Sequence, residues 1–238
     1  RRCEERHGSL RNGGAAADLP LRADARGCNA FQPAGGEVRL PAVPRESSRL
    51  HGPACRLFRP RGEQNLHGPG DDDAVIDIAG QLVIGCGEAI SPPFFNSDPY
   101  GAGVAAILAN VNDVAAMGGV PKGVVNTIIG PKSKTDKAMQ GMQDAAEMYQ
   151  VPIIGGHLTE SEEACALSAF ALGHAEQVLS MAHVAPGQAL LFTGCLEGKM
   201  REDFPFFTSI ENQRSTLARD VRLLARVAAS GAAVAAKD

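Results

Sequence analysis

Between residues 74 and 173 the apolar residues change their spacing in the order strand, strand, helix, strand, helix, strand, strand, and few architectures accommodate that order. Ala74–Ile78 and residues 82–87 are short apolar runs either side of a turn containing Gly80, which reads as a hairpin. Asp98 followed by Pro99 reads as a helix start. The carboxylate can accept from free backbone N–H groups, and proline at the first helical position lacks the donor that would be orphaned there. The helix places Val104, Ile107, Leu108, Val111 and Ala115 on one face and ends near Gly118 and Gly119. Residues 122–129 read as a β-branched strand, and residues 135–149 as a helix with Ala138, Met142, Ala145 and Tyr149 inward. Met139, Met142 and Met148 read as packing residues. Residues 151–154 and 166–173 complete the strands, the first as a short buried one. The pattern predicts an α+β fold, a mixed β-sheet packed on helices.

The flanks differ. Up to Arg61 the chain has twelve arginines, no lysine and no sustained periodicity, so residues 1–61 are expected to be a poorly ordered, low-complexity leader. Residues 62–185 then form the first domain, and Pro186-Gly187 marks a boundary. Beyond it, residues 190–193 read as a strand and 215–230 as a helix stopped by Gly231, so residues 186–238 are read as part of a second α+β domain. That helix presents Leu217, Val221, Leu224 and Ala228 with few partners in view.

A formal net charge of -4 gives no basic field for nucleic acid or an anionic membrane, which favours a small-molecule partner. No apolar run reaches membrane-spanning length and no signal peptide is recognisable, so a cytoplasmic protein is expected. Six scattered cysteines without a C-x-x-C pair read as reduced thiols. A nucleophile at Cys55 or Cys86 would lack an activating base nearby in sequence.

Three segments carry chemistry. Asp71, Asp72 and Asp73 crowd one strand entrance, where a divalent cation would relieve their repulsion; from these residues alone, a solvated acidic turn is the plainer reading. Glu88, at the far end of the hairpin, can join the same cation. Asn112 and Asp113 lie late in an apolar, alanine-rich helix, where both are poor helix formers and a carboxylate opposes the macrodipole. A Mg²⁺-bound phosphate would account for them and for the following Gly118-Gly119, and an exposed polar helix edge is the alternative. Gly155-Gly156-His157, after an apolar strand, reads as a turn whose N–H groups can approach an anion, although His157 by itself reads as structural. Neither a P-loop nor a G-x-G-x-x-G helix start is present, so nucleotide binding would need another architecture.

Gly70-Asp71-Asp72, Asp98-Pro99-Tyr100, the run from Asn112 to Pro121, and Gly155-Gly156-His157 occur in the order found in the superfamily of AIR synthase, selenophosphate synthetase, thiamine-monophosphate kinase and a hydrogenase-maturation protein. Over residues 70–238 the chain resembles the AIR synthase-related proteins most. The resemblance implies ATP and Mg²⁺ bound in a cleft between two domains, and a homodimer whose N-terminal sheets join into a barrel. It implies Asp72 and Glu88 as metal ligands, with Glu88 standing where many members have Asp. Asp113 falls at the Mg²⁺-phosphate site, and Gly155, Gly156 and His157 on the phosphate-proximal loop. Ala236-Lys237-Asp238 resembles the start of the second domain's acidic motif, which adds Asp238 to the metal set. No Cys/Lys-bearing glycine-rich leader is recognisable before Gly70, which argues against selenide as substrate. The expectation is a kinase- or synthetase-type transfer of phosphoryl to an oxygen of a small metabolite. The alternative is a non-catalytic nucleotide-binding or scaffold protein that keeps the fold and dimer surface.

Overall fold

A computed structural model describes residues 5–9, 65–67, 71–200 and 207–238. Most of the expected leader, and Gly70, lie outside that range. The main sheet has six strands in the order β2-β3-β4-β7-β5-β6. They are β2 (Asn65–His67), β3 (Ala74–Ile78), β4 (Gln81–Ile90), β5 (Val120–Gly130), β6 (Ile153–Glu160) and β7 (Ala166–Ala175). β5 and β6 run parallel and the other neighbours antiparallel, so the sheet is mixed as the pattern predicts. A parallel pair needs a crossover, and helix α3 (Lys132–Tyr149) supplies it. The β3–β4 hairpin turns through Ala79 and Gly80, both at positive φ (54° and 84°), the geometry a two-residue connection favours.

Two helices precede β5: α1 (Pro92–Ser97) and α2 (Pro99–Ala116). Asp98 caps α2 as expected, accepting from the Gly101 N–H at 3.0 Å. α2 buries more than the predicted face. Ala102, Ala106 and Val114 are buried alongside Ile107 and Val111, because α2 touches the sheet on one side and α3 on the other. The two helices meet backbone to backbone: a Cβ at Gly103 would stand 2.0 Å from the Ala138 carbonyl oxygen, and one at Gly141 2.1 Å from that of Tyr100. On α3, the expected inward residues Ala138, Met142, Ala145 and Tyr149 are buried, whereas Met139 is exposed rather than packed.

Along β7 every second residue from Leu167 to Ala175 faces the helices, while Phe170 and Leu172 point to the open side. β6 departs from expectation. It runs through Gly155, Gly156 and His157 instead of ending before them, and it lies exposed at the sheet edge.

The remaining elements form a second layer of contacts. β8 (Ala189–Thr193) and β11 (Ala235–Lys237) pair antiparallel with either side of β1 (Glu5–Ser9), a strand within the segment read as lacking periodicity. β9 (Lys199–Met200) and β10 (Phe207–Thr208) make a small ribbon. The single helix expected over 215–230 is instead α5 (Leu217–Asp220) and α6 (Leu223–Ala229), after a short α4 (Ile210–Gln213). The break has a tertiary cause: the Arg222 guanidinium donates to the Tyr149 and Gln150 carbonyls at 2.9 and 3.0 Å, satisfying acceptors at the end of α3. Gly231, at φ +67°, stops α6 as predicted. The apolar side of these helices is covered, contrary to expectation. Val221 and Leu217 join the main core, and Leu224 and Ala228 pack with Leu179, Ala233 and Ala236. Among the described residues no helix is long and apolar enough to cross a membrane.

Candidate metal centre

Four aspartates converge where the start of β3, the last turn of α2 and the end of β11 meet. Asp73 sits one step beyond the Ala74–Gly85 pair, which sets it beside Cys86 on the helix-facing side of the hairpin. The ligand atoms of Asp73, Cys86 and Asp113 lie within 4.8 Å of one another, and so do those of Asp72, Asp113 and Asp238. Asp113 belongs to both groups.

Three of these carboxylates are buried, and Asp238 is exposed. Asp73 is 5% exposed, Asp113 7%, and the Asp72 side chain 2%. Both Asp73 oxygens and Asp72 Oδ2 have no hydrogen-bond partner, while Asp72 Oδ1 accepts from Lys237 Nζ. Burial, then the charges of Asp238, Glu88 and Asp71, pushes Asp73 up to about 7 from its ordinary 3.8. Asp113 is pushed up to about 9 by burial and then by Asp238, Asp73 and Glu88. Leaving a buried carboxylate oxygen without a donor is costly, and a cation removes the cost. The donors are mostly carboxylate oxygens, the set a hard divalent cation such as Mg²⁺ takes, so the residues present fit one.

Cys86 does not behave as a nucleophile. Its thiol donates to the backbone oxygen and Oδ1 of Asn110 at 3.3 and 3.2 Å, and burial and the Asp73 charge push its pKa upward. Asn110, fully buried and donating to the Ala106 carbonyl at 2.8 Å, was not singled out from the sequence.

The other sequence-derived candidates are placed differently. Asp71 lies outside both groups and fastens the segment after β7, accepting from the Ser180 hydroxyl and, at 3.3 Å, from the Met181 N–H. Glu88 lies within β4, which continues to Ile90; it is exposed and outside both groups, yet its charge acts on Asp73 and Asp113. Desolvation and the Asp238 charge raise its own pKa. Asn112 is half-buried beside Asp113. Gly118, at φ +76°, and Gly119 are buried, and added Cβ atoms would stand 2.9 Å from Ala228 Cβ and 2.5 Å from Ile84 Cδ1. Gly156 faces Asn126 across the β5–β6 pair, where a Cβ would meet Asn126 Oδ1 at 2.5 Å. Glu88, Ala169, Asn126 and Gly156 form one row across the sheet. At about 4.8 Å per strand, Gly156 stands roughly 14 Å from Glu88.

Residues 70–175 match the family described as "AIR synthase related protein, N-terminal domain". An uncharacterized protein of Synechocystis is 34% identical over 167 residues, 66% of this chain and 51% of that protein. The thiamine-monophosphate kinase of Rhodopirellula baltica is 31% identical over 149 residues, 56% of this chain and 47% of the kinase. The selenide, water dikinase of Pelobacter propionicus is 30% identical over 129 residues, covering 52% and 37% respectively. The chain thus spans about half the length, or less, of these relatives.

Proposed function

We propose that the protein, whose residues 70–175 match the AIR synthase related family, binds ATP with Mg²⁺ and transfers phosphoryl to an oxygen of a small metabolite. The observation that carries this reading is the set of three buried, unpaired carboxylate oxygens on Asp72 and Asp73, which call for a cation. In this reading Asp72, Asp73, Asp113 and Asp238 hold the ion, and Glu88 adds negative charge beside it. Mg²⁺, when bound, would neutralise polyphosphate charge and leave open positions for phosphate oxygens.

The chain's own part is positioning. Asp71 anchors the acidic turn to Ser180, so that Asp72 and Asp73 are presented in a fixed orientation. Asn112, next to Asp113, offers an amide donor toward a phosphate. Gly155, Gly156 and His157 lie at the far end of the row that starts at Glu88, and the reading assigns them to the phosphate chain. With the Cys86 thiol half-buried and bonded to Asn110, no protein nucleophile enters this reading, and phosphoryl passes directly to the acceptor. The relatives named thiamine-monophosphate kinase and selenide, water dikinase support the reaction class. The reading includes a homodimer through the open sheet face and a cytoplasmic location.

Titration calorimetry tests the site. Asp113→Asn is expected to weaken Mg²⁺-dependent ATP binding by ~10–100-fold, the range lost when a metal site is disrupted. Unchanged affinity would remove Asp113 from the site. ADP release measured with a panel of small hydroxylated acceptors tests transfer, and tight binding without turnover would favour the scaffold alternative.

A further inference from the structure

The partner that Asp72 already has is a lysine. Lys237 Nζ donates to Asp72 Oδ1, and the two residues differ sharply in exposure: the Asp72 side chain is 2% exposed and that of Lys237 49%. The carboxylate is therefore fixed inside the cluster while the ammonium stands at its mouth, able to leave for solvent or a ligand at little desolvation cost. The backbone of Lys237 is held. It ends β11, which pairs with β1, and the adjacent Val234 carbonyl accepts from the Ser180 N–H at 3.0 Å. Only the flexible stem needs to move.

One ammonium does not satisfy the cluster. Asp73 is 95% hidden and both its oxygens remain without a donor, and Asp72 Oδ2 is likewise unpaired. These atoms point to a further cation, and that cation would draw on the Asp72 carboxylate that Lys237 now holds, since Asp72 groups with Asp113 and Asp238. A lysine displaced there faces whatever anion accompanies the cation.

We propose that Lys237 is an exchangeable counter-ion: it holds Asp72 when the centre is empty, yields it to a divalent cation, and passes its ammonium to a phosphate oxygen of the bound nucleotide. This rests on the reading of the centre as an ATP and Mg²⁺ site. It assigns Lys237 two opposite effects. The ammonium competes with Mg²⁺ alone and attracts the Mg²⁺-loaded polyphosphate.

The two effects are separable by calorimetry on Lys237→Met, which keeps the apolar stem and removes the charge. Mg²⁺ alone is expected to bind on the order of tenfold tighter, and ATP at saturating Mg²⁺ on the order of tenfold weaker, the scale of one charge-assisted hydrogen bond. Lys237→Arg should keep both affinities near those of the unsubstituted protein. A misfolded variant would lose both affinities, so tightening of Mg²⁺ binding cannot arise from damage. Both affinities unchanged, or both moving the same way, would overturn the proposal. If ATP binding is lost in Asp113→Asn but unaltered in Lys237→Met, the function stands and the role of Lys237 fails. If the unsubstituted chain binds no ATP with Mg²⁺, both fail together.

Discussion

Asp73 and Asp113 give the protein an inverted pH dependence. Folded, they hold protons up to about 7 and about 9, whereas in an unfolded chain they release them near the ordinary 3.8. Between roughly pH 4 and those values the folded state binds more protons than the unfolded one, so stability falls as pH rises. The cation-free protein is expected to melt at a lower temperature at pH 8 than at pH 5, and Mg²⁺ to restore more of the loss at pH 8. Calorimetric scans check this, with Asp73→Asn flattening the slope. A melting temperature that climbs over the same range would mean the two carboxylates are not held protonated. Asp113 stands out in the sequence, because a carboxylate late in an apolar helix conflicts with both propensity and dipole. The choice among Asp71, Asp72 and Asp73 was not. Three consecutive acids look alike until strand register and the Ser180 contact separate the anchor, Asp71, from the proposed ligands. Asn110 escaped notice because two asparagines on one helix differ only in which way each points once the helix is packed.

The contact between α2 and α3 fixes where Asp113 lies relative to the sheet. Gly103 and Gly141 leave no room for a methyl group, since each would meet a carbonyl oxygen of the other helix near 2 Å. Gly141→Ala is expected to destabilise the fold by about 1–3 kcal/mol or more, because backbone cannot give way as a side chain can. Urea unfolding reads the cost, and an unchanged midpoint would show that the helices are not in such contact. Helix starts and stops were legible where local chemistry sets them, as at Asp98-Pro99 and Gly118. Distant partners set the rest. The α5–α6 break exists because Arg222 reaches carbonyls at the end of α3. Gly156 suggests a turn by composition, yet it sits in a strand paired with β5, where the Asn126 side chain occupies the space a Cβ would need.

The sheet covers one face with helices and leaves the other open, with Phe170 and Leu172 45% and 47% exposed and Ile76 exposed two strands away. A face of that kind is usually covered in solution, and the proposed homodimer would cover it. Phe170→Glu is expected to shift the protein from dimer to monomer in analytical ultracentrifugation without changing its circular dichroism. A monomer before substitution would remove this interface. The sequence reads these strands as apolar runs, and the alternation that leaves one face open appears only in the folded sheet, as along β7; the identity of whatever covers that face is not written in one chain's periodicity. The Asp72–Lys237 pair, finally, has a consequence for the order of events in folding. Its members are 165 residues apart, so the carboxylate centre cannot exist until distant parts of the chain have met, and closing so long a loop is an entropic cost that local helices and hairpins do not bear. The centre is therefore a late product of folding and not its nucleus. The proposed ion would then recognise finished molecules and ignore unfolded ones, stabilising by mass action on the native population.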